Sequence, residues 1–339
     1  MKICITGGGT GGHLMIAESL VEATVNAGSE AIFIGSTHGQ DRKYFEGASA
    51  FTHAYFLETT GVVNQKGLGK LKALFKVFKA FLKARALLKK HKIDAVYSVG
   101  GFSAAPASFA SLSRFIPLFI HEQNAVTGKL NGLLKPYAKS FISAYDKNSS
   151  IQGYPVKEIF YKTAKVRYKL GCIIFLGGSH GAKAINDLAL SVAKKLQRKN
   201  IRIIHQAGEA DYERVKKEYE ELEVDVELYA FTKELPKLIS QADLAVSRAG
   251  ASTLWELTAN GVPAFYIPYP YAAGDHQFFN AKFIVDNEMG WCEREGDALT
   301  SKLVEILEEP LQIKSEKLLE HSSDKVAFKM IKEVEEAIK

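Results

Sequence analysis

Cysteine is scarce in this 339-residue sequence. Cys4, Cys172 and Cys292 are odd in number and far apart. No Cys-x-x-Cys pair or Cys/His cluster accompanies them, which argues against structural zinc. Cys4 and Cys172 lie in apolar runs and read as small buried hydrophobes of a reducing compartment. Long apolar runs are missing too: none approaches the roughly 18 residues that span a bilayer. The first run is broken by glycine after Thr6, and no small-residue cleavage site follows, so no secretory signal is expected. Acidic residues are absent between positions 66 and 92. That stretch instead holds ten basic ones: Lys66, Lys70, Lys72, Lys76, Lys79, Lys83, Arg85, Lys89, Lys90 and Lys92. Without them the chain's net charge of +6 becomes −4, so the positive charge is one local feature rather than a general coat.

What is present is ample material for two α/β cores, with 47% hydrophobic and 24% charged residues. The run "KICITGG" passes into "LMIAESLVEATVNAG", spaced as a helix and ending at Gly28. "EAIFIGS", "IDAVYSVGGF", "PLFIHEQN" and "KSFISAY" follow as further strands. Short apolar strands alternating with helices predict a parallel sheet covered on both faces. At "CIIFLGGSHGAKAIN" the pattern restarts, then continues through "IRIIHQAG", "VDVELYA", "DLAVSRAG" and "VPAFYIP". The expected division is residues 1–156, residues 157–323, and a helix over 324–339 that could pack on either half, back on the first domain included.

Each half opens with a strand, a glycine turn and a helix, a device that brings backbone N–H groups and a helix N-terminus up to a phosphate. "GGGTGG" satisfies G-x-G-x-x-G through Gly7, Gly9 and Gly12. The dinucleotide fingerprint also needs an acidic residue about 20 positions on, at the end of the second strand. Here that strand ends "FIGSTHG", so NAD binding is disfavoured; a Walker A loop fails because His13 and Leu14 stand where it needs Lys and Ser/Thr. A tight turn without a ligand is the plain alternative. Two glycine loops in two halves suggest a cleft closing on a nucleotide-bearing substrate.

In "SRAGASTLWELTANGVP", Ser252 is the expected N-cap, with Glu256 one turn into the helix. Glu256 either accepts from two ribose hydroxyls or complements the helix dipole; spacing alone leaves both open. "GDHQFFNA" offers Gln277 and Asn280, whose amides suit sugar hydroxyls, or an ordinary helix start capped by Asp275. "HEQN" puts four polar residues, His121, Glu122, Gln123 and Asn124, at a strand's carboxyl end. There is no Asp-x-Asp, the carboxylate pair with which many glycosyltransferases hold a metal-bound sugar nucleotide. Helix N-termini and hydrogen-bond donors would have to meet leaving-group charge instead.

Taken together, "GGGTGGH", "GGF", "HEQN", "GGSHGA", "SRAGASTLWE" and "DHQFFNA", in that order over roughly residues 5–281, closely resemble the MurG family. These are the UDP-N-acetylglucosamine–N-acetylmuramyl-(pentapeptide) pyrophosphoryl-undecaprenol N-acetylglucosamine transferases. The resemblance implies an α/β GT-B fold, two Rossmann-like domains with parallel sheets facing across a cleft. It implies an inverting UDP-GlcNAc-dependent transfer to the C4 hydroxyl of MurNAc in lipid I, giving lipid II. A related transferase with another acceptor, a UDP-GlcNAc epimerase and a non-catalytic nucleotide-sugar-binding protein are the alternatives. No cofactor or metal is implied.

Carried over by position, donor contacts fall at Thr10, Gly11, Gly12, Asn124, Lys157, Ser179, Ala251, Ser252, Thr253, Leu254, Glu256 and Gln277. Thr232 matches a backbone contact to uracil. Gly9, Gly100, Gly101 and His121 fall on the acceptor side. The domain join departs from the common Gly-Asn-Pro-Val-Arg: here it is Gly153-Tyr154-Pro155-Val156-Lys157, and Lys157 keeps the charge without arginine's bidentate fork. His180 and His276 stand where glutamine is frequent.

An attacking sugar hydroxyl needs a base. His13 is the first candidate, kept neutral by the positive end of its helix, or else it donates to a substrate oxygen. Glu122 is the reserve base or a partner to His121. Residues 70–90 read as an amphipathic helix, with Lys72, Lys76, Lys79, Lys83 and Lys90 in one stripe. Leu71, Leu74, Phe75, Phe78, Phe81 and Leu82 lie on the other side. Such a helix, with the loop "VVNQKGLG", suits an anionic phospholipid surface, or it covers a sheet with a solvated lysine face. No aromatic-interleaved or recognition motif supports nucleic acid. With an undecaprenyl-linked acceptor, the resemblance implies a peripheral protein on the cytoplasmic face of the bacterial inner membrane. Cell-wall synthesis and division proteins are candidate partners.

Overall fold

The computed structural model describes residues 1–61, 67–178 and 181–339, with the backbone alone at position 68. The chain divides into two compact units, residues 1–156 with 325–339, and residues 157–324. In chain order the first unit contains β1 (Lys2–Thr6), α1 (Gly11–Asn26), β2 (Glu30–Ser36), α2 (Asp41–Phe45), β3 (His53–Leu57) and α3 (Gly67–Lys90). It continues with β4 (Ala95–Ser98), α4 (Ala105–Leu112), β5 (Leu118–Glu122), α5 (Lys129–Leu134) and β6 (Ser140–Ser143). All six strands run parallel in the order β3-β2-β1-β4-β5-β6. Ile3 lies beside Ala31 on one side and Ala95 on the other. Ile3, Cys4 and Ile5 are wholly buried, as in strands with both faces covered.

The second unit contains α6 (Glu158–Lys162), β7 (Cys172–Leu176), α7 (Lys183–Arg198), β8 (Arg202–Gln206), α8 (Tyr212–Glu221), β9 (Glu227–Tyr229) and α9 (Leu235–Gln241). Then come β10 (Leu244–Ser247), α10 (Ala251–Asn260), β11 (Ala264–Tyr266), α11 (His276–Asp286), β12 (Trp291–Cys292), α12 (Leu299–Ile306) and α13 (Gln312–His321). Its parallel order, β12-β11-β10-β7-β8-β9, repeats that of the first unit when read from β9. In each unit the order reverses at the first strand, between β1 and β4 and between β7 and β10. Open α/β sheets bind ligands at the carboxyl ends of such neighbours.

The last helix, α14 (Val326–Ile338), packs against α1 in the first unit, burying Val326, Met330, Ile331 and Val334. Ser150 Oγ donates to Glu333 Oε1 at 3.0 Å, tying the same helix to the loop after β6.

Several local expectations differ from the structure. Helix α1 starts at Gly11, inside the glycine run, because the last glycines of that run already take helical geometry. Strands β3 and β12 lie in segments the apolar pattern did not mark. β3 is a sheet edge with His53 and Tyr55 among its five residues, and β12 has two residues. On α3 the inward stripe is Ala73, Ala80, Ala84 and Leu88, all buried, and the helix packs against α4. Leu71, Leu74, Phe75, Phe78 and Leu82 are 47–63% exposed, so most of the large apolar face points away from the core. Alanine suits the inward stripe because it lets two helices approach closely.

Within the second unit, Arg167 is almost fully buried yet satisfied. Its guanidinium donates to Ala242 O (2.8 Å), Lys165 O (2.7 Å) and Asn260 Oδ1 (2.6 Å). Asn260 Nδ2 in turn donates to Phe160 O and Thr163 Oγ1, both at 2.8 Å. Deleting the amide strands part of a buried cation, which costs roughly 2–4 kcal/mol. Asn260→Ala is therefore expected to lower the urea midpoint of the second unit by that equivalent. An unchanged midpoint would mean that the guanidinium finds another acceptor.

Candidate active site

The first half-site forms where β1 and β4 end. Gly8 N–H donates to Gly100 O at 3.1 Å, and the two glycine turns lie backbone against backbone. A Cβ on Gly101, whose φ is +80°, would overlap Gly8 O; one on Gly7 would overlap Gly100 O. "GGF" and "GGGTGG" thus require each other. A Cβ on Gly100 would also lie 3.1 Å from Asn131 Nδ2 and 3.4 Å from His13 Nε2, so glycine there leaves room for the imidazole.

Thr10 is the N-cap of α1, but its side chain makes no cap bond. Its Oγ1 instead lies 2.8 Å from His13 Nδ1, fixing the ring. Gln123 Nε2 is 2.9 Å from His13 Nε2 and 3.3 Å from Nδ1. Lying close to both nitrogens, it is not aligned with either lone pair. The N–H groups at the start of α1, at Gly11 and Gly12, carry no capping side chain.

The "HEQN" stretch divides at the end of β5. His121 is buried within β5, edge-on to Tyr154 at 5.5 Å, and among the described residues neither ring nitrogen has a partner. Burial, with a smaller contribution from His13, pushes its pKa down to about 3, so the ring is neutral. Glu122 makes no bond to His121. Its Oε1 accepts from Asn124 N–H (3.1 Å), and its Oε2 accepts from Gly128 N–H and Asn131 Nδ2 (2.9 Å each). With both oxygens holding the loop into α5, Glu122 is a brace in this structure rather than a reserve base. Asn124 is half-buried beside it.

The second half-site lies at the ends of β7, β10 and β11. In the loop after β7, Gly181 N–H donates to Gly178 O, and a Cβ on Gly181 would overlap Ala207 O. Ser179 and His180 lie outside the described residues. Helix α10 corrects the expected capping. Its N-cap is Gly250, and Ser252 is the second helical residue. Its N-cap glycine has no side chain with which to cap the helix. Leu254 is wholly buried and can offer only its backbone.

Glu256 is buried in the next turn. Burial pushes its carboxyl up to about 7, and the Lys157 charge acts against that. Two residues chosen separately from the sequence are thus brought within electrostatic reach. Thr232 Oγ1 accepts from Glu234 N–H (3.0 Å), so its hydroxyl serves its own turn. Gln277 Oε1 accepts from Tyr269 N–H (3.0 Å), leaving Nε2 as its donor. Asn280 is wholly buried and donates to Ala249 O (3.1 Å); it holds the "SRAG" turn and is not a sugar contact. Asp275 pairs with Arg294 at 2.6 Å instead of capping α11.

The sequence reading missed Arg248. It donates to Ile267 O and Pro268 O and pairs with Glu295 at 2.5 Å, which fixes the loop beyond β11. Among the described residues no group of three His, Cys, Asp or Glu side chains is placed to hold a metal ion.

Residues 3–143 match the glycosyltransferase family 28 N-terminal domain, and residues 172–338 match the family 28 C-terminal domain. A protein of Sulfurimonas denitrificans is 69% identical over 334 residues, 98% of each chain. One of Wolinella succinogenes is 54% identical over 97% of this chain and 98% of its own. Both are called UDP-N-acetylglucosamine–N-acetylmuramyl-(pentapeptide) pyrophosphoryl-undecaprenol N-acetylglucosamine transferase. The chain belongs to the MurG family, within glycosyltransferase family 28. The crystal structure of Acinetobacter baumannii MurG superposes with a TM-score of 0.80 at 27% identity, over 99% of each chain. A UDP-GlcNAc 2-epimerase from Neisseria meningitidis, at 14% identity and a TM-score of 0.66, shares the fold alone. The expected GT-B class is therefore the architecture of this MurG-family chain. Its C-terminal-domain match runs on through α14, although that helix packs on the first unit.

Glu256 supplies a direct check on the second half-site. Its folded value lies above the ordinary 4.5, so the folded chain keeps a proton that the unfolded chain releases. That contribution to stability is full below 4.5 and is lost as pH rises through about 7. Titration followed by carbon NMR at the Glu256 carboxyl is expected to give a midpoint near 7, and Lys157→Met is expected to raise it further. A midpoint near 4.5 in the parent protein would contradict the burial.

Proposed function

We propose that this chain transfers GlcNAc from UDP-GlcNAc to the C4 hydroxyl of MurNAc in lipid I, forming lipid II with inversion at the anomeric carbon. The observation that carries this reading is the 69% identity, over 98% of each chain, to a relative named for that transfer. The half-sites supply the roles. A Thr10 hydroxyl accepting Nδ1–H leaves His13 Nε2 as the basic nitrogen. As the acceptor oxygen bonds to C1 and the C1–O bond to UDP breaks, the hydroxyl proton passes to that nitrogen.

The first turn of α10 meets the diphosphate with N–H donors, and Ser179 and Asn124 add contacts. Ionised Glu256 accepts from the ribose hydroxyls, Lys157 favours that ionised form, and Gln277 Nε2 reaches the sugar. Gly9, Gly100, Gly101 and His121 belong to the acceptor side, with His121 acting from beneath the surface. Labelled UDP-GlcNAc mixed with lipid I in vesicles tests the reaction. Label moving into lipid is expected; an epimerised sugar, or UDP bound without turnover, would sink it. His13→Ala is expected to lower turnover about 10²–10⁴-fold while the UDP Kd stays the same. Unchanged turnover would remove His13 as the base.

The acceptor is lipid-anchored, and α3 supports peripheral attachment to an anionic bilayer. Phe75 and Phe78 are 58% and 55% exposed, and Lys79 lies over the Phe75 ring at 4.7 Å. Lys76 also pairs with Glu58 at 2.8 Å. Residues 62–66 of the expected membrane loop lie outside the described residues. No helix among the described residues is long and apolar enough to cross a membrane. Each lysine near an anionic surface contributes about 1 kcal/mol. Reversing Lys72, Lys76, Lys79 and Lys83 to Glu is expected to abolish sedimentation with phosphatidylglycerol vesicles. Sedimentation equal to the parent's would leave α3 only a structural role.

A further inference from the structure

The first glycine loop contains an anion of its own. Asp41, the first residue of α2, is wholly buried. Its Oδ1 accepts Gly9 N–H at 2.5 Å, and its Oδ2 accepts Ser36 N–H at 2.8 Å. The fit is tight: a Cβ on Gly8 would lie 2.5 Å from Oδ1, and one on Gly35 would lie 2.9 Å from Oδ2. The neighbouring Arg42 is turned away, pairing with Glu46 and lying over Phe56. Both carboxylate oxygens are therefore spent on backbone donors, one in the loop and one at the end of β2. Gly8 N–H is spent on Gly100 O. Two N–H groups of the loop, those of Gly8 and Gly9, are thus filled from within the chain.

We propose that Asp41 is a positioning residue whose buried carboxylate acts as the loop's built-in anion. It holds the turn that presents Thr10 and His13, and it occupies the Gly9 N–H that a nucleotide phosphate would otherwise take. The inference rests on the transferase reading for its activity readout, and it carries a second readout that does not.

In Asp41→Asn, one of the two buried N–H groups must face an amide NH2, donor against donor. Turnover is expected to fall about tenfold or more, since small displacements of a catalytic group are costly. The UDP Kd should stay within about twofold of the parent's. In Asp41→Ala, formate is expected to restore turnover saturably without moving Tm. Full activity in Asp41→Asn would overturn the proposal. So would a parallel loss of UDP binding and turnover, or the absence of formate rescue in a folded Asp41→Ala.

Should the variants not fold, the parent protein decides by amide NMR. The Gly9 resonance is expected to stay in place on titration with UDP, and a large shift would overturn the proposal. A parent chain that moves no GlcNAc to lipid I sinks the transferase reading alone, because the Gly9 measurement does not depend on it.

Discussion

The backbone contact between the turns after β1 and β4 governs the first half-site. In a parallel sheet whose order reverses between these neighbours, both loops leave the same edge and compete for the same space. Gly7 and Gly8 on one side and Gly100 and Gly101 on the other let two main chains meet where side chains would force them apart. The seating of α1 follows from that contact, and the position of the His13 ring follows from α1 and Thr10. A histidine at the third helical position is then held by the scaffold rather than by a flexible loop. Precision of that kind is what the proposed proton transfer would need.

The two units use one topology but distribute charge differently at the strand ends. In the first, a buried aspartate fills the glycine loop from within. In the second, glycine is the N-cap of α10, and a buried glutamate sits one turn further along that helix. Glycine-rich turns alone do not show where a phosphate goes, because the chain can fill them itself. Among the described residues only Lys157 was found to offset the burial of Glu256, so its carboxyl stands poised between its two forms near neutrality.

Much of this was legible in the sequence because buried parallel strands are near-continuous apolar runs, and a restart at Cys172 is hard to miss. β3 was not, because an edge strand with His53 and Tyr55 carries a weak apolar signal. Asp41 escaped for a different reason. A carboxylate was sought at the end of β2, facing a ribose, whereas the actual one lies just beyond and points back at the main chain. Ser252 misled because glycine is also an accepted N-cap, and the helix starts one residue earlier than a serine cap would place it. Glu122 and Asn280 look like ligands in one dimension because polar residues in a motif are equally apt to hold the loops that carry it.

Helix α3 shows why composition and spacing gave only half its account. Its basic and apolar residues were plain, but the buried stripe that packs inward is mostly alanine, which a search for large hydrophobes ignores. Once Ala73, Ala80, Ala84 and Leu88 satisfy the core, the exposed leucines and phenylalanines need another reason. Lysines alone would bind any polyanion and lose their hold as salt rises. Exposed apolar side chains alone would invite self-association. On one helix the two would act together in the attachment proposed above: the charge would select an anionic surface, and the rings would enter the interface once it is reached. Since neither contribution is large, attachment of this kind would stay reversible, which would suit an enzyme whose proposed substrates lie one in water and the other in a bilayer.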